Sequence, residues 1–304
     1  MAAQKNHYLN IICIIIGLFF SQSLLGQNST RYERYDLLER QAMLNYVDGH
    51  YQKALVKFKA SFEIIPDDDV SDYFYAASAA LHLEKDSVAK QLIINAIIRT
   101  NADKGYFLRF KGFKNFRDNP LFQQINHKYD DYIAQYFANL EHPEIHQEID
   151  SLIAEDQRVR TTNVSYEEMH RVDSLNILRL IEITKKYGWH RKAWILLWHH
   201  RYFREEVKDN YVWSFFIPYI NEQIKKGNVR KNFWKMYVDN MSVYQEKKQI
   251  YGTYWSQFDQ FPVKDIEHVD QRRKEVGLAP MWYMHKVYDF ELPPNYIIPD
   301  TLSL

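Results

Sequence analysis

Two adjacent histidines, His199 and His200, fall in a stretch that reads as helix. Successive helical residues point about 100° apart, so only one of the pair can face a given site. If the fold gathered His199 with Asp239, Tyr251, Thr253 and Arg273, an imidazole would stand beside an acid as a general base, and the Arg273 guanidinium could hold an anionic substrate. The rival reading of the same five residues is structural. Buried polar groups need partners whether or not they catalyse, and these could tie a loop to its neighbouring helices.

Other chemistry is thinly represented. The chain has 12 histidines but no H-E-x-x-H pattern. His142 and His146 stand four apart around Pro143 and lack a third ligand to define a metal site. Tyr251-Gly252-Thr253 has neither the glycine run nor the lysine of a phosphate loop. No metal or cofactor is expected. Lys247-Lys248 and Arg272-Arg273-Lys274 read as solvated faces beside Glu246, Asp270 and Glu275.

The elements that must position these residues are helices. Among 304 residues there are only 9 Gly and 9 Pro, against 7 Trp, 23 Tyr and 18 Phe. Few chain breakers and many large rings suit helices packed across wide gaps. Thirty-nine basic residues balance 39 acidic ones, which removes the basic footprint of a nucleic-acid binder. In the C-terminal half, Ser165 and Glu168 form a capping-box pair, an apolar stripe follows, and Lys185 and Lys186 precede Gly188 as a stop. Further helices are predicted over 191–203, 212–225 and 228–247. Residues 249–266, with β-branched and aromatic residues around Gly252 and Pro262, are predicted to form a small β-hairpin. All seven Trp lie in this half. Trp194 and Trp198, four apart, should share one face and pack in the core, although exposed rings could instead stack on glycans.

The first residues look like an address. Lys5 precedes an apolar run over 11–20 and a short polar stretch to Gly26, the layout of a secretory signal peptide cut after Gly26. Ten apolar residues fall short of the ~20 that span a bilayer, so no membrane span is expected after cleavage. Cys13, the only cysteine, lies inside this leader, and the mature chain would carry no thiol.

Two resemblances emerge. From Asp48, the residues Gly49, Tyr51, Ala54, Phe58 and Pro66 stand at the spacing of a tetratricopeptide repeat's turn and second helix. Gly49 permits the tight turn, Ala54 a close helix crossing, Phe58 fills the groove and Pro66 stops the helix. Residues 35–47 serve as its first helix, without the repeat's usual Trp and Gly. A second copy follows over 73–100, with Ala89 standing 35 residues after Ala54. Residues 104–139 resemble a cap, ending in a helix from Leu121 to about Asn139. Two repeats cannot bury their own ends, so the C-terminal half should pack directly on them.

Asp156-Gln157 with Arg160, Gly188-Trp189, His199, Asp239, Gln249 with Tyr251-Gly252-Thr253, and Arg272-Arg273 with Gly277-Leu278 form an ordered set over 148–284. It is similar to a bacterial domain family of unknown function, whose pattern runs D-Q-x-x-R, G-W-P, H, D-R, Q-x-Y-G-T-Q and R-R-x-x-x-G-L. His190, Asn240 and Tyr254 depart from that pattern. The resemblance supplies positions and no activity.

The expected architecture is mainly α. A signal peptide covers 1–26, a tetratricopeptide-like region with its cap 27–140, a helical domain with a small β-hairpin 141–286, and an extended tail 287–304. The expected role is an exported interaction or scaffold protein of the bacterial periplasm or cell envelope, holding a protein or peptide partner in a repeat groove. The alternatives are a hydrolytic enzyme centred on His199 and a glycan binder using its tryptophans.

Overall fold

The computed structural model describes residues 30–201 and 211–304. The expected signal peptide over 1–26 and the end of the helix expected over 191–203 lie outside them. The described chain is mainly helical, and none of its helices is long and apolar enough to cross a membrane.

Two helical hairpins open the fold: α1 (Arg31–Val47) with α2 (Tyr51–Ile64), and α3 (Val70–His82) with α4 (Asp86–Thr100). Gly49 turns the first hairpin at φ +76°; open space surrounds it, so its conformation alone calls for glycine. Ala42, Ala54, Ala76, Ala77, Ala80, Ala89 and Ala96 are fully buried, which lets the helices approach closely, and Phe58 fills the space between them. Helix α2 stops at Ile64, just before Pro66. Asp69 caps α3 by accepting the Ser71 N–H at 2.8 Å, and Asn101 closes α4 in the left-handed conformation.

The cap consists of α5 (Lys104–Arg109), a 3-10 turn over Lys111–Phe116, α6 (Pro120–His127) and α7 (Tyr129–Ala138). Its aromatic rings interlock with Phe74: Phe110 and Phe113 each lie 5.3 Å from it between centroids. The single helix expected from Leu121 to Asn139 is broken at Lys128, because the Lys128 N–H pairs with the carbonyls of Ile125 and Asn126 in a tightened last turn.

Two long helices follow, α8 (Pro143–Thr161) and α9 (Tyr166–Tyr187), packed as a third hairpin. The Ser165 Oγ accepts the Glu168 N–H at 3.1 Å, and Gly188 ends the helix at φ +89°. Next come a 3-10 turn over Arg191–Ala193, α10 (Trp194–His199), α11 (Tyr211–Lys225), α12 (Lys235–Glu246), α13 (Val269–Glu275) and α14 (Met281–Tyr288).

Two sequence expectations are corrected here. The helix expected over 228–247 starts only at Lys235. The preceding residues are committed elsewhere: Asn228 to Gln223, Arg230 to Asp36 and Asp68, and Asn232 to the Gly277 carbonyl. The β-hairpin over 249–266 does not form. That segment is a loop with one isolated parallel bridge between Gln249 and Val263, because side chains take the backbone groups a ladder would need.

Residues Arg31–Leu304 form one compact unit. Ala279, Trp282, Tyr283 and Val287 from the C-terminal segment belong to the same apolar core as the first two hairpins, and α14 lies against α1. Tyr296 in the tail donates to Asp270 at 2.5 Å and packs on this core together with Leu304, so the tail lies along the body.

Candidate functional site

The residues singled out by type and spacing collect in three places. In the first, Asp156 on α8 is buried at 1% exposure and faces His199 at the end of α10. Its carboxylate stands 2.8 and 2.9 Å from the His199 Nδ1, 2.7 Å from the Gln157 Nε2 and 2.9 Å from the Arg160 guanidinium. Arg160 also donates to Asp173 on α9 at 2.7 Å. The D-Q-x-x-R residues and the histidine thus form one network joining α8, α9 and α10. With the Nδ1 proton given to Asp156, Nε2 is the ring nitrogen left to act as a base.

The second place is built on Asp239, fully buried on α12. One carboxylate oxygen accepts the N–H groups of Ile250 at 2.6 Å and Tyr251 at 2.8 Å, and the other accepts Thr253 N–H at 2.8 Å. Burial raises the Asp239 pKa, and these backbone bonds oppose the rise. Gln249, also fully buried, accepts the Tyr254 N–H at 2.8 Å and donates to the Phe261 carbonyl at 2.7 Å. From α13, Arg273 donates to the carbonyls of Tyr251 at 2.5 Å and Ala279 at 2.6 Å, while Arg272 donates to those of Ile250, Lys264 and Asp265. Gly252 lies at φ +68°, and a Cβ there would sit 3.2 Å from Met281 and 3.3 Å from Val263. Gly277, at φ +76°, offers its carbonyl to Arg40 at 2.7 Å.

Of the five residues considered for catalysis, Asp239, Tyr251, Thr253 and Arg273 therefore come together, and His199 takes Asp156 as its acid. Asp239 spends both oxygens on backbone N–H groups. Arg273 spends its guanidinium on carbonyls, and burial lowers its pKa to about 10.

The third place is a cleft. Two cavities of ≈ 690 and ≈ 800 Å³ share the walls Trp194, Arg230, Asn232, Lys235 and Met236. Gly188 and Trp189 line the smaller one; Gly252, Thr253 and Arg273 line the larger. The larger cavity also meets α1 and α3, through Asp36, Glu39 and Asp72. Trp194 is exposed on this cleft instead of packing in the core beside Trp198, which is half-buried under the Arg201 guanidinium at 3.9 Å. Trp255, 49% exposed, lines the larger cavity and stacks on Phe290.

Sequence reasoning missed the charged residues of this cleft. Arg230 bridges Asp36 at 3.0 Å and Asp68, joining α1 and the α2–α3 turn to the segment before α12. Tyr35 donates to Asp72 at 2.5 Å. The Glu39 carboxyl and the Lys235 ammonium make no hydrogen bond or ion pair with any described residue. Burial pushes the Glu39 carboxyl up to about 8, against the pull of Arg40. It lowers Lys235 to about 8, helped by Arg230 and Arg273. No motif marks either residue, because the groups that share the cleft with them are distant in sequence.

His146 and His190 line the smaller cavity. His190 Nε2 is 3.1 Å from the His146 Nδ1, which also meets the Tyr136 hydroxyl at 3.2 Å. Burial lowers the His190 pKa to about 4, so this imidazole is neutral at physiological pH. No group of three or more His, Cys, Asp or Glu able to hold a metal occurs among the described residues.

Compared with known proteins, the chain matches no family model, no curated protein and no solved structure, and both resemblances rest on the residues quoted above.

Proposed function

We propose that this is an exported ligand-binding protein of the bacterial cell envelope, in which tetratricopeptide-like hairpins and the C-terminal half together wall one ligand cleft. The observation that carries this reading is where the quoted positions fall. Gly188, Trp189, Gly252, Thr253 and Arg273, drawn from three separate motifs, line adjoining cavities that also contain the unpartnered Glu39 and Lys235. Cavities of this size lie within the ~300–1,000 Å³ usual for small-molecule sites. The interaction role suggested by the hairpins takes an intramolecular form: α14 lies against α1, and Trp282, Tyr283 and Val287 join the hairpin core, so the array's partner is its own C-terminal segment.

The Asp239 loop is then the rigid wall that presents Gly252 and Thr253, and the His199–Asp156 network braces α8 to α10. Thermal-shift screening of the protein against amino acids, short peptides, sugars and nucleotides tests the reading. At least one class should raise Tm, and Met236→Trp, which fills the shared wall of the two cavities, should abolish that rise while still folding. Stabilisation that survives Met236→Trp undiminished would place the site elsewhere.

A further inference from the structure

The charges of the larger cavity are sorted by wall. Asp36 and Glu39 on α1, with Asp69 and Asp72 at the start of α3, make one side acidic. Arg230, Lys235 and Arg273, all from the C-terminal half, make the other side basic. Two lining charges depart from the sorting. Arg40 on α1 reaches across to the Gly277 carbonyl at 2.7 Å, and Glu291 follows α14.

Most of these charges are already engaged within the fold. Asp36 is held by Arg230, Asp72 by the Tyr35 hydroxyl, and Asp69 by the Ser71 N–H. Arg273 is held by two carbonyls. Among the described residues, one ionisable side chain is left over on each wall: Glu39 on the acidic side and Lys235 on the basic side. The same cavity is lined by the rings of Tyr75, Tyr106, Tyr283, Tyr288 and Trp255, which offer apolar area without adding charge.

A guest entering the cleft displaces water from these two half-buried groups, and the guest that satisfies both carries a cation at one end and an anion at the other. We propose that the cleft takes a short zwitterionic peptide, its ammonium end at Glu39 on α1 and its carboxylate end at Lys235 on α12. This assignment rests on the cleft being the ligand site. The wall chemistry fits both ends. A carboxylate accepts an ammonium's hydrogens, and a lysine ammonium meets a carboxylate in a charge-assisted bond. The groups facing Glu39 also agree: Asp36 and Asp69 add negative potential, burial holds the Asp72 carboxyl well above the usual carboxylate range, Arg40 and Arg230 are spent on other acceptors, and Tyr283 and Tyr288 are neutral phenols. A cation arriving there would favour the Glu39 carboxylate and release its proton.

The test is calorimetric titration of the protein with the tripeptide Ala-Phe-Ala in three forms: free, N-acetylated and C-amidated. The free form should bind, and blocking either end should weaken binding at least ten-fold. Glu39→Gln should abolish the penalty of acetylation alone, and Lys235→Met the penalty of amidation alone. Both variants are first shown to melt cooperatively. Equal binding of all three forms overturns the assignment. So does the absence of binding by any of them at millimolar concentration, and so do penalties unchanged in the two variants. If a sugar or nucleotide instead stabilises the protein and loses its effect in Met236→Trp, the peptide assignment fails and the cleft stands. Free peptide binding undiminished in Met236→Trp removes the cleft itself.

Discussion

Asp239 shows how a residue with catalytic credentials can serve the fold. Its two oxygens collect three backbone N–H groups from a four-residue stretch. Hydrogen bonds to a charged group contribute ~1.5–3 kcal/mol each, so Asp239→Asn, which turns one acceptor into a donor, should cost about 2–4 kcal/mol in urea unfolding. A change below about 0.5 kcal/mol would show that the loop does not depend on this carboxylate. Glu39 makes the opposite case. Its folded carboxyl keeps its proton to about pH 8, whereas an unfolded Glu ionises near 4.5. The folded state therefore binds more protons across that window, and stability falls as pH rises through it. Glu39→Gln should flatten that fall and raise Tm at pH 8 relative to the parent, leaving pH 4 unchanged. A parent whose Tm does not decline between pH 5 and 8 more steeply than the variant's contradicts the desolvated position of this acid.

At the scale of elements, glycines separate conformation from crowding. Gly49 and Gly252 both adopt positive φ, but open space surrounds the first, while the second faces Met281 and Val263 within 3.3 Å. Gly49→Ala should cost about 1 kcal/mol, the penalty of a left-handed alanine alone. Gly252→Ala should cost more, about 2–4 kcal/mol, because the loop must also shift. Equal losses in thermal unfolding would mean that Gly252 is there for its backbone only. The pattern of breakers and apolar stripes was enough to place the first hairpins and the Ser165-capped helix, because caps, small crossing residues and stops are local signals. It failed over 249–266. There the β-branched and aromatic residues suggest strands, but buried Asp239, Gln249 and Arg273, with the half-buried Arg272, claim the backbone groups that a ladder would pair. Local propensity gave way to side chains that approach from other elements, and no window of sequence contains that competition. The same holds for 228–234, where Arg230 is drawn to acids 194 and 162 residues upstream.

At the scale of the whole molecule, Arg230 joins the two halves. It pairs with Asp36 and Asp68, and its guanidinium lies 4.8 Å from the Tyr32 ring centre. Removing it leaves Asp68 with Arg191 alone, at 3.5 Å, and Asp36 with no ion-pair partner among the described residues, so the cost should fall below the ~3–5 kcal/mol of a fully buried pair. Arg230→Met should therefore lower Tm while calorimetry still shows one transition, because Arg31–Leu304 share a core. Two separated transitions in the parent would mean that the halves fold independently. The motif residues could be named from sequence, but their division into a bracing network, a loop staple and a cleft wall could not. That division depends on which groups are left over once neighbours are satisfied. Glu39 and Lys235 are left over, and neither belongs to a motif.

Above all, the Lys235 ammonium stands on the wall of an open cleft with no hydrogen-bond or ion-pair partner among the described residues. Site-resolved mass spectrometry of lysine acylation, followed from pH 6 to 10, tests it most directly. Lys235 is expected to react with a midpoint near pH 8, and Met236→Trp to suppress its reaction while sparing that of exposed lysines such as Lys53 and Lys128. A Lys235 that trails the surface lysines at every pH, or that reacts as fast with the cleft filled, would contradict it.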